Sequence, residues 1–166
     1  MPQLIWDASA LVKRYYLEIG TQTVAALWST PRLRMLSTYI GYVETAAILQ
    51  RRRNGGYLAN SEYLNARALL NREVFNSAHF ALLSITDASY LNGMALTERH
   101  NINSTDAAIL STLLDYSTDP SSATDPCVLV ASDQRLLRAA ASEGMLTLNP
   151  ETLSVTDVPA FVAALG

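Results

Sequence analysis

Short apolar segments alternate with longer segments of helical periodicity along most of the chain. The segments typical of strands are 4–6, 33–37, 80–85, 127–131 and 145–148. Helices are predicted at 8–17, 21–28, 38–53, 57–78, 87–100 and 134–142, and another begins at 104 and ends before a polar loop at 117–126. Strands that alternate with helices favour parallel βαβ units. The pattern predicts a three-layer α/β/α fold around a central, mainly parallel sheet of four to five strands.

Length and composition exclude several classes of protein. The chain has 166 residues, which fits a single domain spanning 1–166. A hydrophobic content of 49% with 16% charged residues excludes intrinsic disorder, and no apolar run approaches the roughly 20 residues of a membrane span. The first residues show no basic leader and no cleavage site, so a cytoplasmic location without membrane contact is expected. One cysteine and two histidines argue against an internal disulfide and a structural zinc site.

Charge is distributed unevenly between two parts of the chain. Residues 1–72 hold nine Lys and Arg against four acids, whereas residues 73–166 hold three against eleven. The basic part allows contact with a polyanion despite the net charge of −3. Its clearest feature, Arg51-Arg52-Arg53, is typical of a helix carboxyl terminus, and phosphate contact is a second use of the same side chains. Lys13 and Arg14 are assigned either to a solvated helix face or to phosphate contact.

Four carboxylates stand where an α/β core does not need them. Asp7 and Asp133 each follow an apolar strand and precede a helix, so their side chains are expected at neighbouring strand ends. Asp106 lies at the amino terminus of a predicted helix. Glu44 falls beside Val43, on or near the predicted inward face of its helix. Together the four are candidates for one acidic cluster.

Each carboxylate also has a simpler interpretation. Asp7, Asp106 and Asp133 are candidates for ordinary helix caps, which Asp favours over Ala by about 1 kcal/mol. A partly exposed helix edge would explain Glu44, because a buried unpaired carboxylate costs several kcal/mol. Sequence alone leaves both interpretations open.

Convergence of the four acids would require a cation. Like charges about 4 Å apart repel by a few kcal/mol at an effective dielectric constant of about 20. Oxygen ligands without His or Cys favour Mg²⁺ or Mn²⁺ over zinc. Such a site suits hydrolysis of a phosphodiester, because the ion lowers the pKa of a bound water, orients it and neutralises charge on the leaving oxygen. The charges therefore indicate a metal-dependent nuclease.

Four segments carry a resemblance to a known family: DASALVKRY at 7–15, YVE at 42–44, STDAAIL at 104–110 and VASDQRLL at 130–137. In this order and on these elements, the sequence resembles the PIN domain, and most closely the VapC-like toxin ribonucleases of type II toxin–antitoxin systems. The resemblance implies a PIN-like fold with a parallel sheet. It also implies endoribonuclease activity that depends on Mg²⁺ or Mn²⁺ and leaves a 5'-phosphate and a 3'-hydroxyl.

The resemblance further implies a role for each acid. Asp7 and Asp106 would be the principal metal ligands, Glu44 a ligand or water-orienting group, and Asp133 a ligand to a second or water-bridged metal. Ser9 would support Asp7 by hydrogen bonding. The implied partners are an RNA substrate, a cognate antitoxin protein and a second copy of the chain in a homodimer.

Two departures and two alternatives accompany this interpretation. The loop 117–126 is longer and more polar than the family pattern, and Ala131 stands where relatives often carry a hydroxyl. One alternative is a PIN-like scaffold that binds RNA or protein without cleavage. The other is a receiver-like signalling module, which would want an adjacent acidic pair after the first strand, where this chain has Asp7 alone. Neither the RNA target nor the antitoxin follows from the sequence.

Overall fold

A computed structural model of the chain describes residues 1–120 and 125–166. Its sheet has five parallel strands in the order β3-β2-β1-β4-β5. The strands are β1 Gln3–Trp6, β2 Arg34–Thr38, β3 Phe80–Leu83, β4 Cys127–Val130 and β5 Leu146–Leu148. The predicted three-layer α/β/α fold with a parallel sheet is confirmed.

Helices connect the strands in the predicted alternation. They are α1 Ala8–Leu11, α2 Thr21–Ser29, α3 Tyr39–Asn54, α4 Asn60–Leu70, α5 Asp87–His100, α6 Ser104–Thr118, α7 Gln134–Ser142 and α8 Val158–Ala163. A 3-10 turn, Val12–Arg14, continues α1, and a π turn, Asn71–Phe75, continues α4. The predicted helix at 8–17 is therefore wrong in its second half, since the chain tightens after Leu11. No element was predicted beyond 150, where a 3-10 turn, Val155–Asp157, leads into α8.

Strand side chains alternate between two hydrophobic cores, one on each face of the sheet. In β1, Leu4 and Trp6 enter one core and Ile5 enters the other. The first core packs against α1, α2, α3, α4 and α8, and the second against α5, α6 and α7. All four residues of β1 and of β4 are buried, which matches the continuous apolar run in β4. β1 and β4 are thus the two strands that are buried along their whole length.

The order of the strands reverses next to β1. The chain proceeds from β1 through β2 to β3 on one side, then returns to place β4 on the other side of β1. In open parallel sheets, ligands bind outside the carboxyl ends of the strands at such a reversal. The order also differs from the receiver-like arrangement, in which the first strand lies between the second and third. The structure therefore does not support the receiver-like alternative.

Two further expectations concerned membrane spans and the loop 117–126. Among the described residues, no helix is long and apolar enough to cross a membrane. The predicted loop at 117–126 begins later than expected, because α6 extends to Thr118. Residues 121–124 of that loop lie outside the described residues.

Candidate functional site

Asp7 and Asp133 lie on either side of the strand-order reversal. The paired residues Trp6 and Val130 end β1 and β4, and the Asp7 amide donates to the Val130 carbonyl at 3.0 Å. Asp7 is 9% exposed, whereas Asp133 is exposed. Asp133 Oδ1 also caps α7, since it accepts from the Arg135 amide at 2.7 Å. Asp133 therefore both caps α7 and lies at this edge of the sheet.

The hydroxyl of Ser9 links these two strand ends. Ser9 Oγ donates to Asp7 Oδ2, and the Ser9 amide donates to the same oxygen at 2.9 Å. Ser9 Oγ accepts from the Ser132 amide at 2.9 Å and from the Asp133 amide at 3.3 Å. One donor and two acceptor sites are all that a hydroxyl offers. Ser9 thereby fixes Asp7 against the turn that carries Asp133.

Asp106 reaches the same edge from the first turn of α6. It is not the cap of that helix, because Asn103 holds the cap position and accepts from the Asp106 amide at 2.8 Å. Asn103 Nδ2 returns a hydrogen bond to Asp106 Oδ2 at 2.6 Å. This reciprocal pair leaves Asp106 half-buried with its carboxylate held in place. The capping interpretation of Asp106 is wrong for its side chain.

Glu44 approaches from α3 and is half-buried. The predicted inward face of this helix was wrong at Val43, which is 59% exposed. The buried face consists of Gly41, Thr45 and Leu49, two of which carry little or no apolar side chain. A Cβ on Gly41 would stand 2.5 Å from Ser37 Oγ, so a larger residue there would require Ser37, α3 or the end of β2 to shift. Glu44 follows one turn after this close approach.

Electrostatic interactions join the four carboxylates. Asp7 and Asp106 interact with each other, and each of them also interacts with Glu44 and Asp133. Burial and then the neighbouring Asp7 and Asp133 raise the pKa of Asp106 to about 6. Burial also raises the pKa values of Asp7 and Glu44; hydrogen bonds from Ser9 oppose the shift at Asp7. The folded chain thus holds negative charges that repel one another.

The donor set is suited to a hard divalent cation. All four side chains offer carboxylate oxygens, the ligands that Mg²⁺ and Mn²⁺ prefer. Within residues 1–120 and 125–166, no three His, Cys, Asp or Glu side chains converge closely enough to enclose a metal ion as they stand. Mg²⁺ commonly uses only one or two carboxylates and completes its shell with waters and substrate phosphate. The chemistry of the residues therefore fits such an ion without a closed protein cage.

Lys13 and Arg14 were predicted to lie on a solvated helix face or to contact phosphate, and both instead form ion pairs within the fold. Lys13 is 3% exposed, and its Nζ lies 2.8 Å from Glu18 Oε1 and 2.7 Å from Glu151 Oε1. Arg14 forms two hydrogen bonds with Glu73, at 2.9 and 3.1 Å. A buried and paired Lys13 lies neither on a solvated helix face nor free to meet phosphate. Both cations instead tie the 3-10 turn to other parts of the fold.

Two supporting residues were missed in the sequence. Asn103 orients Asp106, and Gly41 permits the approach of α3. Asn103 had a readable signal, because Asn three residues before an acid at a helix start is a capping pattern. Gly41 had none, since a glycine within a helical segment does not reveal which neighbour it faces.

Comparison with known proteins yields structural matches only. No family model matches the sequence, and no curated protein matches it significantly. PAE2754 from Pyrobaculum aerophilum matches with a TM-score of 0.58 and 17% identity over 95% of this chain and 96% of that one. FitAB, solved bound to an IR36 DNA fragment, matches with a TM-score of 0.61 and 14% identity over 91% and 97%. VapBC-1 from nontypeable Haemophilus influenzae matches with a TM-score of 0.51 and 13% identity over 90% and 98%.

The matches extend over nearly the whole of each chain, and they agree with the resemblance carried by the four sequence segments. At these identities they show a common fold. The chain has the fold of the VapC-like PIN domains.

Proposed function

We propose that this chain is a Mg²⁺- or Mn²⁺-dependent endoribonuclease and the toxin of a toxin–antitoxin pair. The observation that carries the proposal is that four acids from four separate parts of the chain interact electrostatically at the strand-order reversal. Capping alone would explain Asp7 and Asp133, but it explains neither Asp106 nor Glu44. Carboxylates that repel one another in a half-buried site are costly unless a cation neutralises them.

The metal would be held by Asp7 and Asp106, with Glu44 and Asp133 at its margins. When bound, the ion supplies positive charge that activates water and stabilises the charge on the phosphate oxygens. Asp7 suits the role of a fixed ligand because Ser9 holds one of its oxygens from two directions. Asp106 suits it because Asn103 sets its orientation.

Glu44 is the proposed water-orienting group. It is half-buried, and burial together with Asp7 and Asp106 raises its pKa, which favours proton uptake closer to neutral pH. Glu44 would take a proton from the water, whose oxygen would attack phosphorus as the bond from phosphorus to the 3' oxygen breaks. The leaving 3' oxygen would take a proton from solvent, which leaves a 5'-phosphate and a 3'-hydroxyl. Asp133, the most exposed of the four, would hold a second or water-bridged ion.

The proposed partners follow from the matched proteins. FitAB and VapBC-1 are two-component assemblies by name, which supports a cognate antitoxin for this chain. A homodimer, an RNA substrate and a cytoplasmic location complete the proposal.

The test is cleavage of a fluorescein-labelled single-stranded RNA with Mn²⁺, followed by analysis of the product ends. The wild type should cleave and leave 5'-phosphate ends, and Asp7→Asn and Asp106→Asn should lose at least ~10²-fold in rate while they remain folded. Asp87→Asn is the matched control, because Asp87 also lies in the first turn of a helix but is exposed. Unchanged cleavage by both site variants would refute the proposal. RNA binding without cleavage by the wild type would instead favour a PIN-like scaffold.

A further inference from the structure

A groove of about 740 Å³ adjoins the carboxylate cluster. One part of its lining is the acidic edge, with Ser9, Ser132 and Asp133. Another part is the carboxyl terminus of α3 and the residues after it, with Arg51, Arg52 and Tyr57. We propose that this groove binds the nucleotide next to the scissile phosphate of a single-stranded RNA, with Arg51 at a phosphate and Tyr57 against a base. The inference rests on the proposed function and adds a specific substrate-binding site to it.

The cations that line the groove differ in how far they are already neutralised. Lys13 lies between two carboxylates, so it offers little net charge to a ligand. Arg52 Nη2 lies 3.4 Å from Glu18 Oε2. Arg51 is exposed and forms no salt bridge in the described part of the chain. Arg51 is therefore the groove cation most available to a phosphate.

Arg51 is also close enough to the acidic cluster to act on the same substrate. It lines the same groove as Ser9 and Asp133 of the acidic edge. A phosphodiester chain that places one phosphate at the carboxylates would therefore have its neighbouring phosphate near a guanidinium. Arginine recognises phosphate oxygens through charge-assisted and often bidentate hydrogen bonds.

Tyr57 provides an aromatic surface at the same groove. Its side chain is 70% exposed. The Arg52 guanidinium lies 6.0 Å from the Tyr57 ring centroid and 5.1 Å from that of Tyr16. The Arg52 guanidinium thus lies against the Tyr57 ring from one side. Unpaired bases stack on such rings, whereas the bases of a duplex already stack on each other.

A buried polar atom beside the acids also points to a ligand. Ser132 Oγ is buried and has no hydrogen-bond partner within the described residues. Ser132 lines the groove next to Asp133. A buried hydroxyl without a partner costs free energy that a hydrogen bond to a ligand would recover. A ribose or phosphate oxygen at this point would provide that bond.

The experiment measures binding of a fluorescein-labelled single-stranded RNA of mixed sequence by anisotropy, with EDTA present so that nothing is cleaved. Arg51→Ala should raise Kd about tenfold, or about 1.4 kcal/mol, because a charge-assisted hydrogen bond to phosphate is lost. A plot of the logarithm of the association constant against the logarithm of salt concentration has a negative slope. That slope should become smaller in magnitude by about 0.7, which corresponds to one lost phosphate contact. Arg53→Ala is the matched control, because Arg53 lies over Tyr63 at 4.6 Å and does not line the groove.

Tyr57 is tested in the same assay. Tyr57→Leu should raise Kd about tenfold, or about 1.4 kcal/mol, because a base loses the ring on which it stacks. Tyr57→Phe, which keeps the ring, should bind as the wild type does. A duplex of the same sequence should compete poorly. Thermal unfolding of each variant verifies that it is folded.

The outcomes separate this inference from the proposed function. Equal effects of Arg51→Ala and Arg53→Ala would indicate a general charge effect and overturn the groove assignment, as would wild-type binding by Tyr57→Leu. Cleavage with Mn²⁺ is measured separately, and there Arg51→Ala should raise KM with little change in kcat. RNA binding with the predicted variant effects but no cleavage would contradict the proposed function alone.

Discussion

At the scale of single residues, the Ser9 hydroxyl connects the two strand ends of the site through three hydrogen bonds. It donates to Asp7 and accepts from the amides of Ser132 and Asp133, so its removal affects both strand ends. Ser9→Ala should lower the free energy of unfolding by about 1–3 kcal/mol, because buried groups lose their partners. It should also weaken Mn²⁺ affinity about 10–100-fold, as loss of a group that orients a ligand does.

Urea unfolding and calorimetry with Mn²⁺ measure these two effects. Ser29→Ala is the control, because Ser29 is exposed and its Oγ donates to the local Ala25 carbonyl. Wild-type Mn²⁺ affinity in Ser9→Ala would contradict the supporting role of the hydroxyl.

The raised pKa of Asp106 predicts how stability depends on pH. The folded state holds this proton more tightly than the unfolded state, with a pKa of about 6 against an ordinary 3.8. The contribution of Asp106 to stability therefore decreases as pH rises from about 4 through about 6. Because Asp106 is half-exposed, we expect a change of only about 1–2 kcal/mol.

The measurement is urea unfolding in EDTA at about pH 5 and about pH 7.5. The wild type should lose more stability between the two values than Asp106→Asn does, and Mn²⁺ should reduce that difference. An identical pH dependence of the two proteins would refute the shifted pKa.

At the scale of elements, the placement of α3 depends on Gly41. Gly41→Ala would bring a methyl group to 2.5 Å from Ser37 Oγ, which donates to the Trp6 carbonyl at 2.6 Å. The helix or the end of β2 must then shift, so we expect a loss of about 1–3 kcal/mol in stability. Because Glu44 follows on the same helix, cleavage should also fall.

The double variant Ser37→Ala with Gly41→Ala distinguishes the contact from the loss of glycine itself. If the clash with Ser37 Oγ is the cause, the double variant should be less destabilised than the sum of the two single variants, as measured by urea unfolding. Strict additivity would show that the close approach is not what makes glycine necessary.

The elements also show why some predictions from sequence were correct and others wrong. β1 and β4 were readable because both are apolar at nearly every position and buried on both faces. The inward face of α3 was not readable, since Thr45 and Gly41 are buried while Val43 is exposed. Periodicity identifies a helix face only when the buried positions are the apolar ones.

Contacts between distant parts of the chain explain the other errors. Lys13 is buried because Glu151, 138 residues later, supplies a carboxylate. No local pattern predicts such a pair. Likewise, the order of the strands cannot be read from their individual sequences, although it decides that Asp7 and Asp133 are neighbours.

At the scale of the whole molecule, fold and site depend on the same feature. The strand order places β1 at the centre of the sheet, with β4 beside it at the reversal. Asp7 follows β1 directly and Asp133 follows β4 after two residues, and α3 and α6 carry the remaining two acids. Because the proposed site draws its acids from four elements, binding of Mn²⁺ to it would be coupled to folding, and Mn²⁺ at 100 times its Kd should add about 2.7 kcal/mol to the free energy of unfolding. Urea unfolding with and without Mn²⁺ measures this gain, and no gain at saturation would contradict it.

The central claim, that the four carboxylates form one cation site, is tested most directly by calorimetric titration of Mn²⁺ into the folded protein. The wild type and Asp87→Asn should bind Mn²⁺ with the same affinity, and Asp7→Asn and Asp106→Asn should each lose most of the binding. Wild-type affinity in both site variants, or no binding by the wild type, would contradict the claim.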